Sequence, residues 1–257
     1  MASAFGSVSN LRENEPAMTT RLHRRSSAVR LQQTTLLPTS EHGPATPPDV
    51  LGLLSESTRL AVLSLGRTRD YAIGELLFQQ GDPHDGIYLI NRGLVRSFYV
   101  SQDARELTLG FWTAGHYVGA PQLSGGGRHA WASVATAPTS CLWLPGKPLR
   151  DLAGQRGDLA LTLMDALVHK SQCYCDLLQL LATQSMRVRL ARLLNMLAAR
   201  EDSADISLSH SQLASMIGST RQWVSLTLAR FEADGFIIKQ ADGRVQVLAP
   251  ERLANLR

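Results

Sequence analysis

The sequence predicts an α+β chain of two domains joined by a long helix, and three observations carry that prediction. From Tyr71 to Leu144, short apolar runs alternate with turn residues at the spacing of a β-sandwich or barrel. From Leu159 to Leu180, side chains of one stripe recur at intervals of 4, 3, 4, 3, 4 and 3 residues, the heptad seam of a single long helix. From Leu208 to Asp234, two short helical patterns flank Gly218, and two alternating strands follow, which together make a winged helix-turn-helix.

Taken in order, residues 1–48 are rich in Ser, Thr, Pro and Arg, lack a sustained period and end in Pro44, Pro47 and Pro48, the composition of a disordered tail. Asp49 to Gly66 carries Leu51, Leu54, Leu60, Leu63 and Leu65 at helical spacing. The β region then runs as Leu76–Phe78, Ile87–Ile90, Leu94–Tyr99 and Glu106–Trp112, with turns such as Gly81–Pro83 and Asn91–Gly93 between them. The long helix from about Arg156 has Leu159, Leu163, Ala166, Lys170, Cys173, Leu177 and Leu180 on its seam, which suits a dimer interface, with a purely intramolecular core helix as the alternative. Ser185 to Arg200 is a further helix, and Asp205–Leu208 a short strand. The boundaries implied are 1–48 for the tail, 49–155 for the β domain, 156–183 for the dimer helix and 184–257 for the winged helix-turn-helix.

Within the last segment, Leu213, Ala214, Met216 and Ile217 line one side of a short helix for which His210 or Ser211 is the expected N-cap. Gly218 supplies the backbone freedom of the turn. Ser219 or Thr220 caps the second helix, in which Val224, Leu228 and Phe231 form the inner stripe and leave Arg221, Gln222 and Ser225 outside. Arginine can donate a bidentate pair to guanine and glutamine can pair with adenine, which suits the DNA major groove.

Composition narrows the class. The chain has 257 residues, 44% of them apolar and 19% charged, and a net charge of +4. Residues 184–257 hold ten Lys and Arg against seven Asp and Glu, so most of the excess lies in the presumed DNA-binding part. No apolar run reaches the roughly 18 residues of a membrane span, and no secretory signal is visible, so a cytoplasmic protein is expected. No nucleophile–base constellation, Walker loop or paired metal motif appears, and no enzyme is expected. The three cysteines, Cys141, Cys173 and Cys175, do not make a disulfide framework.

The stretch Ile217–Asp234, IGSTRQWVSLTLARFEAD, resembles the recognition segment of the CRP/FNR family of bacterial transcription regulators, and Gly74–Val100, GELLFQQGDPHDGIYLINRGLVRSFYV, is similar to the β-roll (jelly roll) of cyclic-nucleotide-binding-type domains. The resemblance spans about residues 50–250 and implies a homodimer that binds an inverted repeat in double-stranded DNA and works with RNA polymerase. It assigns His210, Ser211 and Thr220 to phosphates, Arg221 and Gln222 to base edges, Ser225 to a base or the backbone, and Arg244 to a phosphate contact of the wing. Leu226 stands where well-known members carry arginine, and Gln222 where they carry glutamate, which implies a different half-site.

The effector region departs further. In Gly115–Val134 the resemblance sets Gly119 at the Gly-Glu pair for the ribose hydroxyl and Arg128 and His129 at the Arg-Ser pair for the phosphate, but Ala120 replaces the acidic residue, and Tyr174 and Cys175 replace the Thr-Ser pair that touches adenine. Cyclic AMP is therefore not the expected cofactor. An iron-sulfur cluster is not expected either, because three cysteines, none before residue 141, fall short of the four ligands of the FNR branch. Cys173, on the seam, is the candidate for an inter-subunit redox bond, with a small apolar interface residue as the plainer reading; no metal site is expected. The signal is left open between a small ligand, a thiol change and none, and the alternative function is a small-molecule or haem sensor acting mainly through protein partners.

Overall fold

The computed structural model describes residues 49–119, 126–198, 205–206, 208–241 and 243–256; the tail expected over 1–48 lies outside the described residues. The first helix, α1 (Glu56–Leu65), begins seven residues later than the apolar pattern suggests. The cause is local. Asp49 accepts a hydrogen bond from the backbone of Gly52 and holds a turn, while Ser55 caps the helix by accepting from Thr58 N–H. The Ser55 hydroxyl also donates to Asp158 Oδ2 at 2.7 Å, and Thr58 donates to Asp158 Oδ1 at 3.0 Å, which ties this cap to a distant helix.

The β domain, among the described residues, is built from β1 (Arg67–Tyr71), β2 (Leu76–Phe78), β3 (Gly86–Arg92), β4 (Leu94–Val100), β5 (Glu106–Thr113), β6 (Tyr117–Val118), β7 (Ala132–Ala135) and β8 (Thr139–Pro145). They make two antiparallel sheets, in the orders β1-β8-β3-β6 and β2-β7-β4-β5, the expected β-roll. β3 reads Gly-Ile-Tyr-Leu-Ile because both of its faces are covered. Tyr88 and Ile90 enter the space between the sheets with Val95, Trp112 and Cys141. Ile87 and Leu89 turn the other way and pack with Val62, Leu149 and Leu159 of the helices.

Two helices follow β8. The sequence pattern does not distinguish α2 (Gly146–Gln155), which buries only Leu149 and Ala153. The 27-residue α3 (Gly157–Thr183) is the expected long helix, with a correction to its seam. Leu159, Leu163 and Ala166 pack against the β-roll of their own chain, and Lys170, Leu177 and Leu180 are buried on the same side. The heptad set read as a dimer interface is therefore intramolecular. A second set, Leu161, Met164, Val168, Ser171, Cys175, Leu178 and Ala182, repeats at intervals of 3, 4, 3, 4, 3 and 4 and lies exposed on the other side of the helix.

The C-terminal unit comprises α4 (Met186–Ala198), β9 (Asp205–Ile206), α5 (His210–Ile217), α6 (Arg221–Ala233), β10 (Ile237–Lys239), β11 (Val245–Val247) and α7 (Pro250–Ala254), with sheet order β10-β11-β9. Leu190, Leu194, Leu213, Val224, Leu228 and Phe231 form its core, and Leu94, Phe111 and Ala137 of the β-roll join that core. The hydroxyls of Thr108 in β5 and Ser215 in α5 meet at 3.1 Å in this buried contact. Arg189 reaches three carbonyls: that of Leu181, that of Gln184 at 2.9 Å and that of Ile217 at 3.2 Å.

Phe231 is completely buried, with the Phe236 ring 5.8 Å away, and it closes the space between α6 and the β10–β11 hairpin. Phe231→Ala should lower the stability of the C-terminal unit by about 3–5 kcal/mol. Urea denaturation followed by circular dichroism checks this; an unchanged midpoint would remove Phe231 from the core.

Candidate nucleic-acid interface

The cap of α5 is Ser209, one residue ahead of the expected His210 or Ser211. Its hydroxyl accepts from Gln212 N–H, and the Gln212 side chain accepts from Ser209 N–H at 2.9 Å, a complete capping box. Capping thus occupies Ser209 and leaves His210 and Ser211 in the first turn for other contacts. Gly218 takes φ +67°, ψ +40°, the left-handed conformation that the tight turn demands. Thr220 then caps α6, its hydroxyl accepting from Trp223 N–H at 3.2 Å.

The inner stripe of α6 is Val224, Thr227, Leu228 and Phe231, and Arg221 and Gln222 stand exposed in its first turn. Leu226 shares the outer face and is 60% exposed. The N-termini of α5 and α6 add oriented backbone N–H groups, the usual partners of phosphate oxygens.

Ser225 is engaged inside the motif. Its hydroxyl donates to the Arg221 carbonyl at 2.9 Å and lies 2.7 Å from His210 Nδ1. A hydroxyl has one proton, so both contacts are hydrogen bonds at once when the carbonyl takes it and His210 Nδ1 donates to Ser225. The neutral imidazole then carries its proton on Nδ1, and Nε2 can donate only when the ring is an imidazolium. Burial, then Lys239 and Arg221, holds the His210 pKa below its ordinary value. Lys239, which the sequence pattern gives no role, therefore belongs to this cationic neighbourhood; it also pairs with Glu232 at 3.2 Å. Arg244 lies half-buried beside Gly243 in the β10–β11 turn, where its carbonyl accepts from Gln240 N–H at 2.8 Å.

The proposed effector residues lie close together, with His129 Cε1 3.8 Å from where a Gly119 Cβ would be, but their contacts are separate. Gly119 borders a cavity of about 90 Å³ between the β-roll and α3. It has φ +90°, and a Cβ there would come within 3.1 Å of the Gly86 carbonyl oxygen, so glycine is required by the packing. Arg128 instead donates to the Gly81 carbonyl at 2.6 Å. The His129 ring stacks on Phe78 at 3.8 Å and is buried. Ala120 and Gly125 lie outside the described residues. The residues that do line the cavity, among them Tyr117, Trp131, Lys170 and Tyr174, carry one signal in the sequence: a lysine in the middle of an otherwise apolar seam. Cys173 is half-buried on the inner side of α3, 3.8 Å from His169 Nε2, whereas Cys175 is exposed on the outer stripe.

Comparison with known proteins bears on both parts of the chain. A model of the Crp-like helix-turn-helix domain matches residues 188–256, and one of the cyclic nucleotide-binding domain matches residues 68–156. The transcriptional activator protein Anr of Pseudomonas protegens is 28% identical over 200 residues, covering 74% of this chain and 80% of Anr. The fumarate and nitrate reduction regulatory protein of Escherichia coli is 25% identical over 171 residues, 64% of this chain and 68% of that protein. Among solved structures, the c-di-GMP responsive global regulator CLP of Xanthomonas campestris shares the fold with a TM-score of 0.67 at 21% identity, over 75% of this chain and 99% of CLP.

The buried histidines set an acid limit on the fold. Burial drives His116 and His129 down to about 4 from an ordinary 6.5, and it lowers His169 as well. Between those values the unfolded chain binds more protons than the folded one, so stability is full above about pH 6.5 and declines as pH falls towards 4. His116→Asn keeps a donor for the Thr113 carbonyl, 3.2 Å from Nδ1, without titrating. Thermal unfolding across pH 7.5 to 4.5 should show the acid slope of the wild type reduced by about one proton in this variant; an unchanged slope would remove His116 as a cause.

Proposed function

The chain belongs to the CRP/FNR family of bacterial transcription regulators, and on that basis we propose that it binds an inverted-repeat site in duplex DNA as a homodimer, in the cytoplasm, with RNA polymerase as a further partner. The observation that carries the reading is the pairing of two surfaces. One is the first turn of α6, with Arg221 and Gln222 exposed above a packed core. The other is the exposed 3–4 stripe of α3, which runs from Leu161 to Ala182 and includes Leu178 at 66% exposure. Pairing of that stripe with its copy in a second chain buries it in coiled-coil fashion. Two recognition helices would then enter major grooves about 34 Å apart. The proposed division of labour is 49–155 as sensor domain, 156–183 as dimer helix and 184–257 as DNA-binding domain, after a tail over 1–48.

Arg221 and Gln222 read base edges in this proposal, and Leu226 offers an apolar contact for a thymine methyl. Thr220, Ser211, His210 and Arg244 meet phosphates. Ser225 acts through His210, since its own hydroxyl proton goes to the Arg221 carbonyl. Cyclic AMP has no assigned role, because Arg128 bonds to the Gly81 carbonyl and His129 stacks on Phe78. No helix among the described residues is long and apolar enough to cross a membrane, and the location rests on the DNA partner.

Selection from random duplex DNA with the purified chain should enrich a palindrome. On that site, Arg221→Ala should cost about 1–3 kcal/mol and relax preference at one base pair per half-site, while Arg244→Ala should weaken all sequences alike and reduce the salt slope by about 1. His210→Gln should flatten the rise in affinity that the wild type shows as pH falls below the ordinary imidazole range, where the imidazolium gains its Nε2–H donor, since burial, Lys239 and Arg221 hold this ring lower. Fluorescence anisotropy measures all three, and wild-type affinity in both arginine variants would overturn the docking. Met164→Glu with Leu178→Glu should give a monomer in sedimentation velocity and weaken DNA binding by about tenfold or more; a stable double-mutant dimer would place the interface elsewhere.

A further inference from the structure

Lys170 stands out among the groups that DNA binding does not use. It lies on the inner side of α3 and is 6% exposed. Its ammonium sits 3.3 Å from the centroid of the Trp112 ring and 5.0 Å from that of Tyr117. The titratable groups around it are His116, His169, Cys173, Tyr117 and Tyr174, and among the described residues no carboxylate and no hydrogen-bond acceptor meets it. Burial pushes it down to about 7. A methionine would fill the same space without desolvating a charge, so packing alone does not account for a lysine here.

A second unmatched group borders the same cavity. Tyr117 is fully buried, and its hydroxyl has no hydrogen-bond partner among the described residues. Ser97 and Tyr174 are the other hydroxyl-bearing residues on the cavity, and the Ser97 hydroxyl is already used: it accepts from Trp112 Nε1 at 3.0 Å and meets the Ser133 hydroxyl at 2.8 Å. Lys170 has only donors, and Tyr117 has a donor to spare. The complement is a group that only accepts and is negatively charged. The rest of the wall is apolar or aromatic, with Val118, Leu167, Trp131 and Tyr174. Size bounds the choice further: the cavity measures about 90 Å³, whereas a cavity that takes benzene is about 150 Å³. A nucleotide or an aryl acid would not fit wholly within this cavity.

We propose that this cavity binds a short aliphatic monocarboxylate of about two to four carbons, its carboxylate on the Lys170 ammonium and the Tyr117 hydroxyl and its alkyl end against Leu167 and Val118. The ligand bridges β6 and α3. Its binding does not depend on the DNA reading and is measured without DNA, so failure of one leaves the other standing.

The test is isothermal titration of the purified full-length chain, in chloride buffer at pH 6.5 and constant ionic strength, with sodium acetate, sodium propionate and sodium nitrate. Propionate should bind saturably, one per chain, about fourfold more tightly than acetate for the added methylene, and more tightly than nitrate, which has the charge without the alkyl end. Lys170→Met should abolish saturable binding while its thermal midpoint stays at or above that of the wild type. Tyr117→Phe should weaken binding by about tenfold or more. Equal binding in wild type and Lys170→Met would overturn the proposal, as would nitrate binding as well as propionate or the absence of saturation by any of the three salts.

Discussion

The burial of one side of α3 against the β-roll is the constraint on which the other features rest. Leu159, Leu163 and Ala166 close the outer face of the sheet that contains β3 and β8, so α3 cannot turn about its axis without opening that core. Fixing the inner side fixes which residues face outward, and these form a second apolar stripe from Leu161 to Ala182. It also fixes where the helix ends, and the carbonyl of Leu181 in its last turn is one of the groups that Arg189 holds. Asp158, bonded to the Ser55 and Thr58 hydroxyls, anchors the opposite end of α3, and those bonds hold its carboxyl well below the usual carboxylate range.

Much of this architecture is legible in the sequence, for identifiable reasons. Strands reveal themselves through turn residues and alternation, so the β-roll follows from the glycines and the spacing. The helix-turn-helix follows from Gly218 and the Val224–Leu228–Phe231 stripe. Two features stay hidden. A helix that is apolar on two sides has two valid heptads, and periodicity cannot tell which one meets the chain's own β-roll. The two sets are equally regular, and Leu159–Leu180 is the internal one. The N-cap of α5 is hidden for a similar reason: Ser209, His210 and Ser211 all suit the position, and only the reciprocal bond from Gln212 decides between them.

The surface proposed to meet DNA was legible in its residue types but not in its hydrogen bonds. Arg221 and Gln222 are exposed because α6 must bury Val224 and Leu228. Ser225 looks equally available in the sequence, yet its hydroxyl is spent between the Arg221 carbonyl and His210. That arrangement fixes the His210 tautomer and links α5 to α6 through side chains as well as through the turn. The cavity shows the reverse case. Arg128 and His129 look like ligand residues by position, but their side chains serve the Gly81 carbonyl and the Phe78 ring. Lys170, which looks like a seam residue, is the one that faces the cavity.

The contact between the C-terminal unit and the β-roll is built to be made or broken as a whole. Arg189 joins three acceptors from different segments: Leu181 in the last turn of α3, Gln184 in the connection and Ile217 at the end of α5. Helix-end carbonyls lack partners within their own helices and carry the negative end of the helix dipole, which favours a guanidinium. Turning the C-terminal unit away from α3 would separate these acceptors from one another, strip the guanidinium of partners together and part the buried Thr108–Ser215 hydroxyls. Intermediate angles would keep the cost of desolvation without the bonds, which favours docking or release over partial separation. A signal can bias such a choice only through a difference in affinity for the two arrangements. The proposed anion, bridging β6 to α3, would act on the helix that supplies the first of the three carbonyls.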